Sequence, residues 1–123
     1  MIIRRLEYNS NDYALELELR NAILRLPLGL DLIKEDLSAE VNDIHIGVFI
    51  EGVLSGVLVL TPMEHGRVKM RQVAVNEAHR GQGIGAAMVK YAEKFCALLG
   101  FSEIRLHARL SALSFYEKLG YIA

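Results

Sequence analysis

Three glycines at alternate positions, Gly81, Gly83 and Gly85, directly follow Arg80 and lie where a helical pattern begins. Glycine lets the backbone approach a ligand closely and adopt turns that other residues avoid. The first N–H groups of a helix have no partners within the helix and lie at the positive end of its dipole. Such a helix start binds anions, and the Arg80 guanidinium can bond two phosphate oxygens. We therefore expect the segment Arg80-Gly81-Gln82-Gly83-Ile84-Gly85-Ala86 to bind a phosphate or pyrophosphate group.

The glycine segment is placed between a predicted strand and a predicted helix. The strand covers residues 67–75, and the helix runs from Gly83 to a stop at Gly100. A further strand is predicted over residues 103–108, so this β-loop-α-β order predicts a right-handed crossover and a parallel pair of strands. The predicted buried face of the helix consists of Ile84, Met88, Ala92, Phe95 and Leu99.

The residues before the glycine segment predict a mixed architecture. A strand is expected over 2–6, a helix from Ser10 to Pro27, a short helix from Asp31 to about Leu37, and a hairpin of strands over 44–51 and 53–60. A last helix begins at Ser111 and carries Leu113, Tyr116 and Leu119. We predict one α/β (α+β) domain over residues 1–123, in which an antiparallel meander precedes the βαβ unit and helices cover both sheet faces. The predicted apolar face of the first long helix is Leu15, Leu19, Ala22, Ile23 and Leu26.

Composition and charge limit the class of protein. Hydrophobic residues make up 52% of the chain, but no stretch is long enough to span a bilayer, and the start lacks the apolar segment of a signal peptide. The lone Cys96 excludes an intrachain disulfide, so we expect a cytoplasmic protein. Residues 1–66 hold five Lys/Arg and eleven Asp/Glu, whereas residues 67–123 hold nine and four. The acidic half predicts attraction of a cationic amine. Neither nucleic-acid binding nor a metal site is predicted.

Two segments resemble the motifs of one enzyme family. Arg80-Gly81-Gln82-Gly83-Ile84-Gly85 resembles the Arg/Gln-x-x-Gly-x-Gly/Ala signature of the GNAT superfamily of N-acetyltransferases, which follows a strand ending like Val73-Ala74-Val75. About thirty residues further on, the segment from Ala112 to Tyr121 resembles the family's Ala-x-x-Phe-Tyr-Glu-Lys-x-Gly-Phe/Tyr motif. Upstream, Leu19-Arg20 and Pro27-Leu28-Gly29 resemble a bacterial branch of the same family.

This resemblance implies acetyl-CoA as cosubstrate and direct attack of a small-molecule amine on its thioester. The N–H groups from Gln82 to Ala86 would hold the pyrophosphate, and the backbone of Val73 and Val75 would pair with the pantetheine amides. Tyr116 matches the family tyrosine that protonates or hydrogen-bonds the CoA sulphur, and it is the predicted catalytic residue. Its spacing alone is equally consistent with a core tyrosine on an amphipathic helix.

The general base is less well defined. Some family members use a glutamate on the strand before the glycine segment, where this chain has Lys69. Glu64, His65 and His107 are the other candidates, and we favour a water relay or binding of the neutral amine over each of them. Arg109 stands where many members have asparagine, and it is predicted to contact the CoA phosphates, a carboxylate of the acceptor, or solvent.

Two other function classes remain open. The segment Gly81-Gln82-Gly83-Ile84-Gly85-Ala86 satisfies the Gly-x-Gly-x-x-Gly/Ala pattern of dinucleotide-binding oxidoreductases. However, a polar connection precedes the glycines, and the next strand ends without the acidic residue that binds a ribose. A catalytically silent acyl-CoA-binding or sensing module is the other alternative, because the base glutamate is missing. A Walker A loop is excluded because no Gly-Lys-Ser/Thr follows.

The predicted sheet has an open edge. Family members continue past this point with a hairpin of strands, whereas only Ile122 and Ala123 follow Tyr121. We expect that the chain is a truncated piece of a longer product that lacks this C-terminal hairpin. The alternative is that a second protomer covers the edge in a homodimer.

Overall fold

The computed structural model describes residues 1–108 and 110–122, and within them five strands form one mixed sheet. The strand order is β1-β2-β3-β4-β5; the first four are mutually antiparallel and β5 runs parallel to β4. The predicted α/β fold, with a meander followed by a βαβ unit, is therefore confirmed. The strands are β1 (Ile2–Leu6), β2 (Ile44–Ile50), β3 (Val53–Pro62), β4 (Arg67–Val75) and β5 (Glu103–Leu106), and the helices are α1 (Asn11–Leu24), α2 (Ile84–Leu98) and α3 (Leu113–Lys118).

Helices cover both faces of the sheet, as predicted. Alternate residues of a strand point to opposite faces, so each strand contributes to two separate apolar layers. On one face, Leu58, Leu60 and Met70 pack with Met88 and Val89 of α2. On the other face, the α1 side, Leu6, Leu54, Val57 and Ala74 form a smaller layer with Leu19 and Ile23 of α1.

The buried face of α1 differs from the prediction. Tyr13, Glu16 and Arg20 are its buried residues, whereas Leu15 is exposed and Leu26 lies beyond the helix on the surface. The three buried positions follow helical spacing, so the helix itself is correctly predicted. Its inner face is polar because the facing strand and loop supply partners for both charged side chains.

The predicted helix from Asp31 to Leu37 is wrong. This stretch contains a 3₁₀ turn over Leu32–Lys34, capped by the Asp31 side chain, and Glu35 is then extended. The Asp36 carboxylate accepts a hydrogen bond from the Ser38 amide, and such local bonds compete with a continuing helix. A second 3₁₀ turn follows over Ser38–Asn42 and leads into β2.

β4 contains a bulge just beyond the point where its pairing with β5 ends. Arg71 pairs with Val59 and Ala74 with Val57, so two residues of β4, at 72 and 73, lie opposite the single residue Leu58. Gln72 has φ +54, a left-handed conformation that is unusual for glutamine. The β4–β5 ladder ends at Met70 and Leu106, short of the predicted strand end at Ala108. Past this point the two strands are no longer paired, and a gap opens in the sheet.

The last two helices also differ in detail from the prediction. Cys96 is buried on the inner face of α2, whereas Leu99 follows the helix and is 53% exposed. The N-cap of α3 is Ala112 instead of Ser111. Tyr121 and Ile122 are not in a strand, and Ala123 lies outside the described residues. Within the described part of the chain, every helix is too short or too polar to cross a bilayer.

Candidate active site between β4 and β5

The glycine segment forms a tight turn that leads into an uncapped helix. Gly81 and Gly83 have φ +80 and +76, and nothing would lie within 4 Å of a Cβ on either residue. Gly83 is the N-cap of α2 and provides no side-chain cap, and the first bond from a helix amide runs from Ala87 N to Gly83 O. The amides of Ile84, Gly85 and Ala86 therefore precede the first helical hydrogen bond, and they could bind an anion at the place where the sequence predicts one.

A cleft of about 850 Å³ occupies the gap between β4 and β5 and reaches this turn. It is lined on one side by the start of α2 and by α3, and on the other by the end of α1. The cleft brings together nearly all of the predicted site residues; Gln82 is exposed and does not line it. Those that line it are Val73, Val75, Arg80, Gly81, Gly83, Ile84, Gly85, Ala86 and Tyr116.

The polar groups of the cleft wall fit a ligand with amide and phosphate groups. The side chains of Val73 and Val75 pack against the α2-side core, which leaves their backbone groups to line the cleft. Among the described residues, Gln72 Oε1 and His79 Nδ1 are buried on this wall without a hydrogen-bond partner. Arg80 also lines the cleft, with a side chain that is 56% exposed, and its one ion pair within residues 1–108 and 110–122 is a long 3.9 Å contact to Glu77. These residues could hold a CoA thioester.

Tyr116 stands on the wall opposite β4. Its ring is half-buried and packs edge-to-face on Phe115 and Tyr121. Burial raises the pKa of the Tyr116 phenol, which keeps the hydroxyl protonated at neutral pH. The ring of Phe115 fixes α3 against the start of α2, because a Cβ on Gly85 would lie 3.3 Å from Phe115 Cζ. Tyr116 is therefore a packed residue that also lines the cleft.

Only one of the candidate bases lies in the cleft. His107, just after β5, lines it, whereas Glu64, His65 and Lys69 do not. Glu64 and His65 belong to the exposed β3–β4 turn. The predicted contact of Arg109 lies outside the described residues.

A buried ionic cluster lies beside the cleft, on the α1 side of the sheet. Arg20 donates to Glu16 at 2.8 Å and to both carboxylate oxygens of Glu40 at 2.8 and 2.7 Å. Tyr13 Oη also donates to Glu40, at 2.8 Å. Sequence analysis does not identify this cluster, although Glu16 and Arg20 have the i, i+4 spacing of a helical ion pair.

His45 completes this cluster, with an acceptor next to each of its ring nitrogens. Its Nδ1 lies 2.9 Å from the Glu16 carboxylate, and its Nε2 lies 3.0 Å from the Glu40 carbonyl oxygen. Both partners are acceptors, so both ring nitrogens donate. Burial alone would lower the pKa of His45, but the hydrogen bond and charge of Glu16 outweigh it and raise this pKa. For Glu40, burial alone would raise the pKa, but the hydrogen bonds that Arg20 and Tyr13 donate to its carboxylate outweigh burial and lower this pKa below its usual range.

The same cluster has the geometry of a cation site. Ligand atoms of Glu16, Glu40 and His45 lie within 4.8 Å of one another. Arg20, however, donates to both carboxylates and already supplies positive charge between them. The cluster therefore serves to join α1, the 3₁₀ turn before β2, and β2 itself.

Comparison with known proteins identifies the family. The family model for the Acetyltransferase (GNAT) family matches residues 11–121. The chain belongs to the GNAT family. This GNAT chain is 31% identical over 78 residues to N-acetyltransferase family 8 member 3 of Rattus norvegicus, a match that covers 57% of the chain and 34% of the relative. It is 37% identical over 59 residues to the uncharacterized N-acetyltransferase YjcF of Bacillus subtilis, covering 48% and 42%. The matches thus span less than half the length of these relatives.

Solved structures agree with the GNAT fold. Escherichia coli ElaA superposes with a TM-score of 0.84 at 18% identity, over 98% of this chain and 86% of that chain. At this identity the likeness concerns the fold alone. Family membership and the largely antiparallel sheet contradict the alternative of a dinucleotide-binding oxidoreductase, whose fold is built on a parallel sheet.

Proposed function

We propose that this GNAT chain transfers the acetyl group of acetyl-CoA to an amine. The observation that carries the proposal is the cleft itself, in which the uncapped start of α2 and Tyr116 line the same gap between β4 and β5. The helix start would supply amides for a pyrophosphate, and the Tyr116 phenol would supply a proton donor.

Acetyl-CoA supplies an activated acyl group, and the reaction joins this group to the amine nitrogen while a thiol leaves. One proton must leave the nitrogen, and one must reach the sulphur, so the overall reaction conserves protons. Tyr116 is placed to donate a hydrogen bond to the departing sulphur because its raised pKa keeps the phenol protonated. His107 or water at the other end of the cleft accepts the proton of the amine.

A silent acyl-CoA-binding module is supported by one observation. Among the described residues that line the cleft, none is an aspartate or glutamate, so no carboxylate is placed to act as a base. Both the transferase and the silent module would bind acetyl-CoA, but only the transferase would release free thiol from it when an amine is added.

A thermal-shift titration followed by a thiol-release assay tests the proposal. At about 100 times its Kd, a ligand stabilises the fold by about 2.7 kcal/mol, which raises the Tm by several degrees. We expect a shift with acetyl-CoA and none with NAD or ADP, and then release of thiol in the presence of an amine panel. A shift with acetyl-CoA but no release with any amine would favour the silent module. No shift at all would overturn both.

A further inference from the structure

The cleft has two openings, on opposite faces of the sheet. The glycine turn, Phe115 and Tyr116 border it on the α2 side, and Ile23, Leu24 and Arg25 border it on the α1 side. If the glycine turn holds the phosphates, as the proposed function requires, the amine has to enter from the α1 side. The charges at that opening therefore select the acceptor.

Arg71 is placed at this second opening. It follows Met70, whose side chain is buried against α2, so Arg71 points to the opposite face. Its side chain is 33% exposed, and it lines the cleft at the point where the β4–β5 ladder ends. Arg25 lines the same opening from the end of α1.

Carboxylates that do not line the cleft orient both guanidinium groups. Arg71 Nη1 lies 3.3 Å from Asp43 Oδ2, and its Nη2 lies 4.0 Å from Glu40 Oε2. Arg25 Nε lies 2.6 Å from Glu35 Oε2. A guanidinium has five N–H donors, and within the described residues Arg71 commits only one of them to a hydrogen bond, with Asp43. Arg25 also donates to Glu35 Oε1 and to the Leu24 carbonyl oxygen, so it keeps fewer free donors. Arg71 is thus held in place while most of its donors stay available to a ligand.

We propose that Arg71, assisted by Arg25, binds a carboxylate of the acceptor, so that the substrate class is an amine that also carries a carboxylate. This inference rests on the proposed function. Arginine suits this task because its planar fork bonds a carboxylate through two parallel hydrogen bonds. The acidic surplus of residues 1–66 predicts a simple cationic acceptor instead, but its carboxylates at Glu16, Glu40 and Asp43 are buried in ion pairs and do not line the cleft.

Equilibrium binding of matched ligand pairs tests this inference. Leucine, glutamate and lysine are compared with their α-amides near neutral pH, on the full chain with CoA present. We expect at least one acid to bind about tenfold more tightly than its amide, because a hydrogen bond to a charged group is worth about 1.5–3 kcal/mol. Arg71→Gln removes this preference and Arg71→Lys retains part of it. Arg67→Gln is the matched control, since it changes an arginine on the same strand that does not line the cleft.

The outcomes separate this inference from the proposed function. Equal binding of acids and amides, no binding of any acid, or a preference that survives Arg71→Gln would overturn the inference. Asp43→Asn removes the ion pair but keeps Arg71, and retention of the preference in that variant shows that Arg71 acts on the ligand and not through the fold. If acids are preferred through Arg71 but acetyl-CoA releases no thiol, the carboxylate site stands and the transferase assignment falls.

Discussion

Arg20 Nη2 lies 2.7 Å from Glu40 Oε2, although twenty residues separate the two in sequence. Removing one member of a buried ion pair leaves an uncompensated charge, which costs about 3–5 kcal/mol. We therefore expect Arg20→Met to lower the free energy of unfolding by about that amount in urea titrations. The control is Arg105→Met, which breaks a more exposed pair with Glu103 and should cost less than about 1 kcal/mol. Equal losses in the two variants would contradict a stabilising role for the cluster.

The cluster also predicts how stability depends on pH. The raised pKa of His45 contributes stability that is fully present below about pH 6.5 and is lost as the pH rises through the folded value. The lowered pKa of Glu40 contributes stability that is present above about pH 4.3 and is lost as the pH falls through its folded value. Their joint contribution is thus greatest between these two limits. Urea unfolding measured at increasing pH above this range should show a fall in stability in the wild type and in the exposed control His65→Gln. This fall should be absent in His45→Gln.

Substitution of one glycine in the turn and of one outside it should separate a loss of stability from a loss of cosubstrate binding. Gly83→Ala introduces a side chain at φ +76, which costs about 1–2 kcal/mol and distorts the turn, so we expect a lower Tm and loss of the acetyl-CoA shift. Gly100→Ala is the matched control at the other end of α2, with φ +90 and equally open space. It should lower the Tm comparably and retain the shift. If Gly83→Ala binds acetyl-CoA normally, the assignment of the turn is wrong.

Tyr116→Phe should separate binding from turnover. Loss of a positioned proton donor lowers the rate by about 10²-fold or more, whereas the packed ring keeps its contacts with Phe115 and Tyr121. We expect kcat for thiol release to fall while the Kd for acetyl-CoA, measured by calorimetry, stays nearly unchanged. Tyr91→Phe on α2 serves as the control, because this ring stacks on Phe95 and does not line the cleft. An unchanged kcat would leave Tyr116 with a packing role only.

The outer edge of β5 predicts association with a second copy. Among the described residues, β5 pairs with β4 alone, and a cavity of about 730 Å³ beside it is lined by Leu119, Tyr121 and Ile122. We propose that the edge pairs with its counterpart in a homodimer. Light scattering should then give twice the 13.8 kDa mass, and Arg105→Pro should return a monomer because proline cannot donate to the ladder. A monomeric wild type at high concentration would contradict this.

Local patterns predict the elements that form the site. The alternation and turn signals predict β4 with the bounds that the structure has, and the glycine spacing predicts where α2 begins. Residues on the cleft wall follow from these two elements. These residues could be predicted from the sequence because a local feature, the uncapped helix start, determines where an anion is expected to bind.

Long-range contacts explain what sequence analysis missed. Arg71 lines the cleft because the β4–β5 ladder ends at Met70, just before it, and Gln72 bulges just after it; no glycine or proline marks that bulge. Glu40 is buried because Arg20 and Tyr13 reach it from α1. An apolar count therefore finds Leu19 and Ile23 on the inner face of α1 but misses Glu16 and Arg20, since it treats charged residues as solvent-exposed and ignores partners elsewhere in the chain.

The parallel pairing of β4 with β5 has a consequence for synthesis of the chain. The four antiparallel strands occupy residues 2–75 and can assemble as soon as that segment has left the ribosome. The cleft cannot exist at that stage, because one of its walls is made from β5 and α3, and the whole of α2 must first cross the sheet. A nascent chain therefore acquires its structural framework before its binding site, because β5 can pair with β4 only after α2 and its connections have been made.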